Sequence, residues 1–357
     1  MQDSATPGLL VRFRPTGPWR FGPDSGARDR VDLLYHSDTL YSACCSAFRQ
    51  LGMLEEWLAA TAGAGESGSA VRFSSCFPWQ GQELFAVPPR TLWPPVPSAK
   101  VRWKDARFVP LSLIASILAE KPVEEDRWIL DPVSGCLLPA TRGPISGPFR
   151  VAVRSSAAVD RLEHGWCEPY ITACLEFASN AGMWCAVAFA GEEAYSRWSE
   201  PVRAAFRLLA DSGLGGERSR GWGRSEVPEF SEGALPELLV PSNGPAPATE
   251  LNQEGAEGAP PAGTAWWMLS LFAPAAADAV DWQRGNYTLL TRGGRVESQA
   301  GWGELKKSLR MVAEGSVLVS EKPLRGEAKN VAPDHFPHPV FRAGFAFTIP
   351  IPLRTTS

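Results

Sequence analysis

The sequence predicts an α+β protein of two domains, the first an antiparallel sheet with helices on one face. Three observations lead there. A chain of 357 residues is longer than one average domain and can bury more than one core. Apolar runs with strand-like alternation stand beside runs with helical spacing, in the order strand–helix, several strands, helix–strand. Residues 231–264 are rich in Pro, Gly, Ala and acids and poor in bulky side chains, so they read as a linker between domains spanning 1–230 and 265–357.

The first element is "GLLVRFRP", an opening strand. "HSDTLYSACCSAFRQLGMLEEWL" follows as a helix that turns Leu40, Ala43, Cys44, Ala47, Phe48 and Leu51 to one face. Ser37 or Asp38 can cap its start, because a short side-chain oxygen there accepts from an otherwise orphaned backbone N–H. "TAGAGESGSA" reads as a surface loop. Beyond a Pro-rich middle, "PSAKVRWKDARFVP" alternates Lys100, Arg102 and Lys104 with Val101 and Trp103. As a strand it presents one basic and one apolar face, suited either to single-stranded RNA or to an edge protected against aggregation. "VRSSAAVDRLEHG" adds Arg154 and Arg161, the latter able to pair with Asp160 or Glu163. "MWCAVAFAG" is a strand, and "SEPVRAAFRLLADSG" a helix with Pro201 near its first turn and Gly213 just past its end. "GRSEVPEF" resumes as a strand. This order fits the ferredoxin-like plan.

In the second domain "AWWMLSLFAP" alternates as a strand, and "YTLLTRGGRV" suggests a hairpin turning at Gly293-Gly294. "WGELKKSLRMVAEGSVLVS" places Lys306, Lys307 and Arg310 ahead of an apolar strand, as a basic edge or an RNA surface.

Between the last helix and strand of the first domain lies "LLADSGLGGERSRGWGRSEV", with five glycines and three arginines. A dinucleotide-binding loop leads from strand into helix; here the glycines leave a helix and enter a strand, so no helix N-terminus receives a pyrophosphate. Gly216 and Gly221 have the four-residue gap of a phosphate-binding P-loop, but Trp222 stands where the lysine belongs. What remains is a main chain that another backbone can approach closely, flanked by Arg218, Arg220 and Arg224, whose guanidinium groups match phosphates. The alternative is a mobile turn with solvated arginines.

The net charge of −4 excludes a uniformly basic coat, so a polyanion site has to be a local patch. Seven cysteines, with no Cys-x-x-Cys pair, suggest reduced thiols of a cytoplasmic protein. Nothing resembles a signal peptide or membrane span. His335 and His338 have metal-like spacing without a further ligand nearby, so no metal and no cofactor is expected.

Four motifs in order, "HSDTLYSACCSAF", "GLGGERSRGWGRSEV", "LRMVAEGSVL" and "VFRAGFAFTIPIP", resemble the RAMP superfamily of CRISPR proteins, in particular the type III-A Csm-complex subunit that holds the 5′ end of the guide RNA. The resemblance implies two ferredoxin-like (RRM-like) domains, a glycine-rich loop over 212–224 and a thumb-like β-hairpin inserted at about 84–150. It implies binding of the repeat-derived 5′ handle of the crRNA, contacts with the large palm-domain subunit and a backbone RAMP subunit, and no catalytic activity of its own. The RNA-binding residues so expected are Gly215, Gly216, Arg218, Ser219, Arg220, Gly221, Trp222, Gly223 and Arg224 of the loop, with His36, Ser37, Lys100, Arg102, Lys104, Arg154 and Arg161. Two alternatives stand beside this reading. In one, His36 serves metal-independent RNA cleavage, as a histidine does in related endoribonucleases; in the other, the chain is a protein scaffold without RNA contacts.

Overall fold

Alternation in the first apolar run leaves Leu9, Val11 and Phe13 fully inside, and the run forms β1 (Thr6–Phe13). The computed structural model describes residues 6–23, 26–95, 101–140, 146–159, 167–241, 264–298 and 301–353. After β1 come α1 (Ser37–Gln50), α2 (Leu54–Ala60), β2 (Val71–Phe73), β3 (Phe77–Gln80), β4 (Glu83–Ala86), β5 (Val109–Pro110), α3 (Leu111–Leu118), β6 (Trp128–Leu130) and β7 (Leu137–Pro139). A long hairpin of β8 (Phe149–Val159) and β9 (Cys167–Phe177) precedes β10 (Ala181–Phe189), α4 (Glu192–Ser212) and β11 (Glu229–Leu235).

The main sheet runs β11-β1-β10-β3-β4-β5, with β2 also on β10. Its pairings are antiparallel. Phe13 and Phe73 meet Phe206 of α4 edge to face, which marks the helix-covered side. All nine residues of β10 are buried, so the opposite side is covered as well. The C-terminal region covers it: the Trp267 indole donates to the Val87 carbonyl, and the Ser75 amide to Leu269. One continuous core takes in residues of both regions.

The C-terminal strands are β12 (Thr264–Met268), β13 (Asp281–Asn286), β14 (Leu289–Arg292), β15 (Arg295–Ser298), β16 (Gly301–Leu305), β17 (Leu309–Val312), β18 (Val317–Val319), β19 (Ala328–Asn330), β20 (Phe341–Ala343) and β21 (Thr348–Pro352). Four of them make an antiparallel sheet in the order β13-β18-β12-β21. Among the described residues this region holds no helix.

The α+β class and the antiparallel sheets agree with the sequence reading, and several local expectations need correction. Val101–Asp105 is a 3-10 helix and not a strand, because the Trp103 indole stacks at 5.3 Å on Trp93 and pulls the segment inward. Arg102 and Lys104 are left exposed. Gly293-Gly294 does not close a hairpin: β14 pairs with β17 and β15 with β16, so the glycines carry the chain from one ribbon to the next. Pro201 lies inside α4, ten residues into a helix that already starts at Glu192. β11 runs through Leu235, so the main sheet claims the first residues of the expected 231–264 linker; residues 242–263 lie outside the described residues. The 84–150 stretch, expected to hold an inserted hairpin, contains the antiparallel pair β6–β7, and the longer β8–β9 hairpin follows at 149–177.

Candidate nucleic-acid interface

The glycine-rich loop leaves α4 at Gly213, which adopts φ +93° as the helix ends. It is laced to the segment after β1 by main-chain hydrogen bonds: Thr16 N–H to Arg224, Gly223 N–H to Pro18 and Gly216 N–H to Arg20, all between 2.8 and 3.0 Å. The Trp19 indole adds a bond to the Arg224 carbonyl at 2.9 Å. The loop is therefore a built structure rather than a mobile turn.

Its glycines divide by task. A Cβ at Gly215 would stand 2.3 Å from the Arg20 carbonyl, and one at Gly223 would stand 2.1 Å from that of Leu214. Both residues have positive φ, so the protein's own folding requires them. Gly216 and Gly221 have room instead: a Cβ at Gly216 meets only Arg20, side chain and carbonyl, at ordinary contact distance, and one at Gly221, though its φ is also positive, meets nothing within 4 Å. Those two glycines leave open space for an external backbone.

Arg20, which sequence reasoning did not select, organises the surroundings. Its buried guanidinium donates to the carbonyls of Ala27, Arg28, Arg30 and Ala173 at 2.7 to 3.2 Å. Burial pulls its pKa below the ordinary arginine value, and the four carbonyls supply the partners that a buried cation needs.

Beside the loop, the N-terminus of α1 is locked to the C-terminal region. Asp38, buried in the first turn, forms ion pairs with Arg292 at 3.1 Å and with Arg342. Burial pushes its carboxyl up, but the two guanidinium groups outweigh this and hold it below its ordinary value of 3.8. The Ser37 hydroxyl accepts from the Leu271 amide and the Ser37 amide donates to Ser75. The first residue of the helix thus bridges regions distant in sequence, and no side chain caps it. Ser37, expected at an RNA interface, is buried at this joint.

His36 is also largely enclosed, with Nδ1 2.8 Å from a carboxylate oxygen of buried Glu314. Burial lowers the imidazole pKa and the Glu314 carboxylate raises it further, leaving it above the ordinary 6.5. For Glu314, burial is outweighed by His36 and the carboxyl falls below 4.5. The stability due to His36 is fully present below pH 6.5 and fades as pH rises through its elevated folded pKa; that due to Glu314 is present above 4.5 and fades only below it. The difference in urea midpoint between the natural chain and His36→Gln is therefore expected to be largest between about pH 4.5 and 6.5 and to shrink on the alkaline side. A difference that stays constant to high pH would count against the pair.

Two adjoining concavities run between these elements. The first, about 230 Å³, is lined by Gly215, Gly216 and Arg218 of the loop, by His36, and by Thr39, Ser42 and Ser46 of α1. The second, about 650 Å³, continues past Gly293, Gly294, Arg295 and Lys306. They share Gly22, Thr39, Ser42 and Arg292, so together they form one groove across both regions. The small polar stripe Thr39, Ser42, Ser46 has the 3–4 spacing of a helix face and was readable from the sequence. Arg292 was not, since its partner Asp38 lies 254 residues away.

Other expected residues stand apart from this groove. Arg220 is exposed but turned to the long hairpin, where it bonds the Tyr170 hydroxyl and reaches Ser156 at 3.3 Å, and it pairs with Glu217 at 3.2 Å. Arg154 shares Glu176 with Arg150 on that hairpin. Ser219 and Arg224 are exposed and Trp222 is partly buried. Arg102 and Lys104 line neither concavity. Lys100 and Arg161 lie outside the described residues.

Comparison with known proteins finds a family-model match in the C-terminal region. Residues 262–351 match the family model described as the CRISPR Csm4 C-terminal domain. No curated protein matches the chain. Among solved structures, the chain is similar to one in a crystal structure of the Csm3-Csm4 subcomplex of the type III-A CRISPR-Cas interference complex. The identity is 15%, coverage is 97% of this chain and 100% of the other, and the TM-score is 0.58. It is similar to one in the Csm1-Csm4 cassette in complex with cA4 at 17% identity, 98% and 100% coverage and TM-score 0.56. The same cassette with pppApA gives 18% identity, the same coverage and TM-score 0.55. At these identities the structural likeness establishes the fold. Among the described residues no helix is long and apolar enough to cross a membrane.

Proposed function

We propose that this chain is a Csm4-type RAMP subunit of a type III-A CRISPR effector, a non-catalytic cap that holds the repeat-derived 5′ handle of the crRNA in the groove beside its glycine-rich loop. It works in the cytoplasm and joins a Csm1-type large subunit to a Csm3-type backbone subunit. The observation that carries this reading is the groove itself, in which an open glycine backbone, Arg218, Arg292, Arg295, Lys306 and a stripe of hydroxyls meet. Phosphates are recognised by that combination of cations, hydroxyls and accessible main chain. Both domains are RRM-like in this reading. In support, β1, β2 with β3, β10 and β11 lie in the order fourth-first-third-second, and β12, β13, β18 and β21 repeat that order. In the second domain, loops and ribbons take the place of helices. The partners follow from the similar chains, solved with Csm1 and with Csm3.

Two contacts in the groove argue against nuclease chemistry at His36. Its Nδ1 is committed to Glu314, and Asp38 next to it is neutralised by two arginines. A general acid–base residue has to exchange its proton with substrate, whereas this histidine holds two regions together.

The test uses the purified chain and a 5′-labelled repeat-derived RNA, without metal, at two salt concentrations. Intact complexes whose affinity falls steeply with salt are expected, because phosphate contacts release counterions. Cleavage abolished by His36→Ala would overturn the reading in favour of a processing nuclease, and absence of binding would leave a protein scaffold. Arg218→Ala is expected to weaken binding and to lower the slope of log affinity against log salt by about 0.7, one phosphate's share on a single strand. Arg220→Ala separates a second effect. Arg220 touches the hairpin, so its loss is expected to change protease sensitivity at 149–177 more than the salt slope.

A further inference from the structure

Arg72 of β2 lies in register with Ala188 of β10, which faces Gly8 of β1, which in turn faces Gly233 of β11. Phe73, one residue on, meets Phe206 on the helix side, so Arg72 projects from the other side of the sheet, towards the C-terminal region. It borders a concavity of about 210 Å³ whose walls include Leu235, Pro236, Trp266, Phe347 and Pro350. This space lies at the seam between the two main sheets, on the face of the sheet turned away from the helices, and shares no residue with the groove.

The guanidinium is poorly served there. Nη1 makes one long bond, 3.4 Å to the Ala346 carbonyl. Nε is sealed from solvent and has no acceptor among the described residues. The charged neighbour that acts on it is Arg325, of the same sign. Three more deeply buried arginines have stronger partners: Arg292 and Arg342 have Asp38, although Arg342 Nε is also left without an acceptor, and Arg20 has four carbonyls. Arg72 is half-buried, and a charge drawn partly out of water is retained at a cost unless something of opposite sign meets it.

We propose that this concavity is a binding site for an organic carboxylate carried on an apolar body about the size of one amino-acid residue, with Arg72 holding the carboxylate through its two Nη groups. A carboxylate offers two oxygens in the plane of that fork, and the indole, phenyl and proline walls suit a ring or branched aliphatic body. Inorganic phosphate has the charge but nothing to fill the apolar walls, and carries a larger hydration shell into them.

The experiment is calorimetric titration of the full chain with 3-phenylpropionate, its neutral amide and inorganic phosphate, on natural, Arg72→Met and Arg72→Lys protein. Saturable binding of the carboxylate is expected, with the amide and phosphate at least about tenfold weaker, Arg72→Lys reduced and Arg72→Met abolished. Arg72→Met is also expected to unfold at an equal or higher temperature than the natural chain in the absence of ligand, since it removes a half-buried charge that has no acidic partner among the described residues. Equal binding of amide and acid, undiminished binding to Arg72→Met, or no saturable binding by natural protein that is shown to be folded would each overturn the proposal. So would a Met variant that unfolds at markedly lower temperature together with no carboxylate binding, because Arg72 would then be only a structural strut. If acetyl-Ala-Phe with a free carboxylate binds more tightly than 3-phenylpropionate, the source is the chain terminus of a protein partner; weaker binding points to a free small acid.

Discussion

Asp38→Ala is expected to destabilise the chain by about 3–5 kcal/mol, the range for removing one member of a buried ion pair. The Asp38 side chain is 1% exposed and each of the two arginine side chains it pairs with 8%, so little water reaches either cation where the carboxylate now meets it. Two guanidinium groups would then stand close together without a carboxylate between them, the Thr39 hydroxyl and the Gly293 carbonyl being neutral acceptors. The loss should concentrate at the contact between α1 and the C-terminal strands. Hydrogen exchange in β14 and β20 should accelerate more than in β1 and β10. Since Arg292 lines both parts of the groove, the variant should also lose RNA affinity under conditions where it remains folded. Urea unfolding of Asp38→Ala beside the double variant Arg292→Met, Arg342→Met checks the cause. The double variant removes both cations while keeping the acid, and a triple variant lacking all three charges should recover part of the loss. If Asp38→Ala costs less than about 1 kcal/mol, the triad is not the joint between regions.

That joint also explains what could and could not be read along the chain. The opening strand, the start of the helix after it and the pair formed by β10 and α4 were legible because each carries its own periodicity and buries one face, as Leu40, Cys44, Ala47 and Phe48 do on α1. The single helix expected over residues 36–58, by contrast, breaks into α1 and α2 and leaves Leu51 exposed. The glycine-rich loop was legible as a loop from its composition. Its division of labour was not, because whether a glycine is forced depends on where the folded chain brings a carbonyl, such as that of Arg20 opposite Gly215. Ser37 looked like a cap for the helix beside it, yet its hydroxyl serves Leu271. The Lys100 to Lys104 alternation looked like a strand, and one stacking contact between Trp93 and Trp103 settled it as a helical turn. In each case local pattern gave the element's neighbourhood and a non-local partner decided its role.

Gly223→Ala and Gly216→Ala separate folding from RNA approach within that same loop. At Gly223 a methyl group would stand 2.1 Å from the Leu214 carbonyl oxygen and 2.7 Å from its nitrogen, on a backbone at φ +81°. The left-handed conformation alone costs a residue with a Cβ about 1–2 kcal/mol, and the neighbours are main chain that cannot rotate away, so the clash adds to it. The hydrogen bond from the Gly223 N–H to Pro18 and the one from Leu214 to Gly223 sit at the same crossing, and moving either carbonyl loosens the loop's attachment. Thermal unfolding should therefore show Gly223→Ala as one of the most damaging single methyl additions in the loop. Gly216→Ala, whose nearest neighbour is the flexible Arg20 side chain at 3.6 Å, should stay within about 0.5 kcal/mol of the natural chain. Yet Gly216 lines the groove beside Arg218, where an RNA backbone has to pass close to bare main chain in the proposed function. Its methyl group is expected to weaken handle binding several-fold with stability unchanged. If Gly216→Ala and the natural chain bind RNA equally while Gly223→Ala merely unfolds, the glycines of this loop serve the protein's own packing and the RNA lies elsewhere. If Gly216→Ala alone separates binding from stability, the open glycine is where the guide backbone rests.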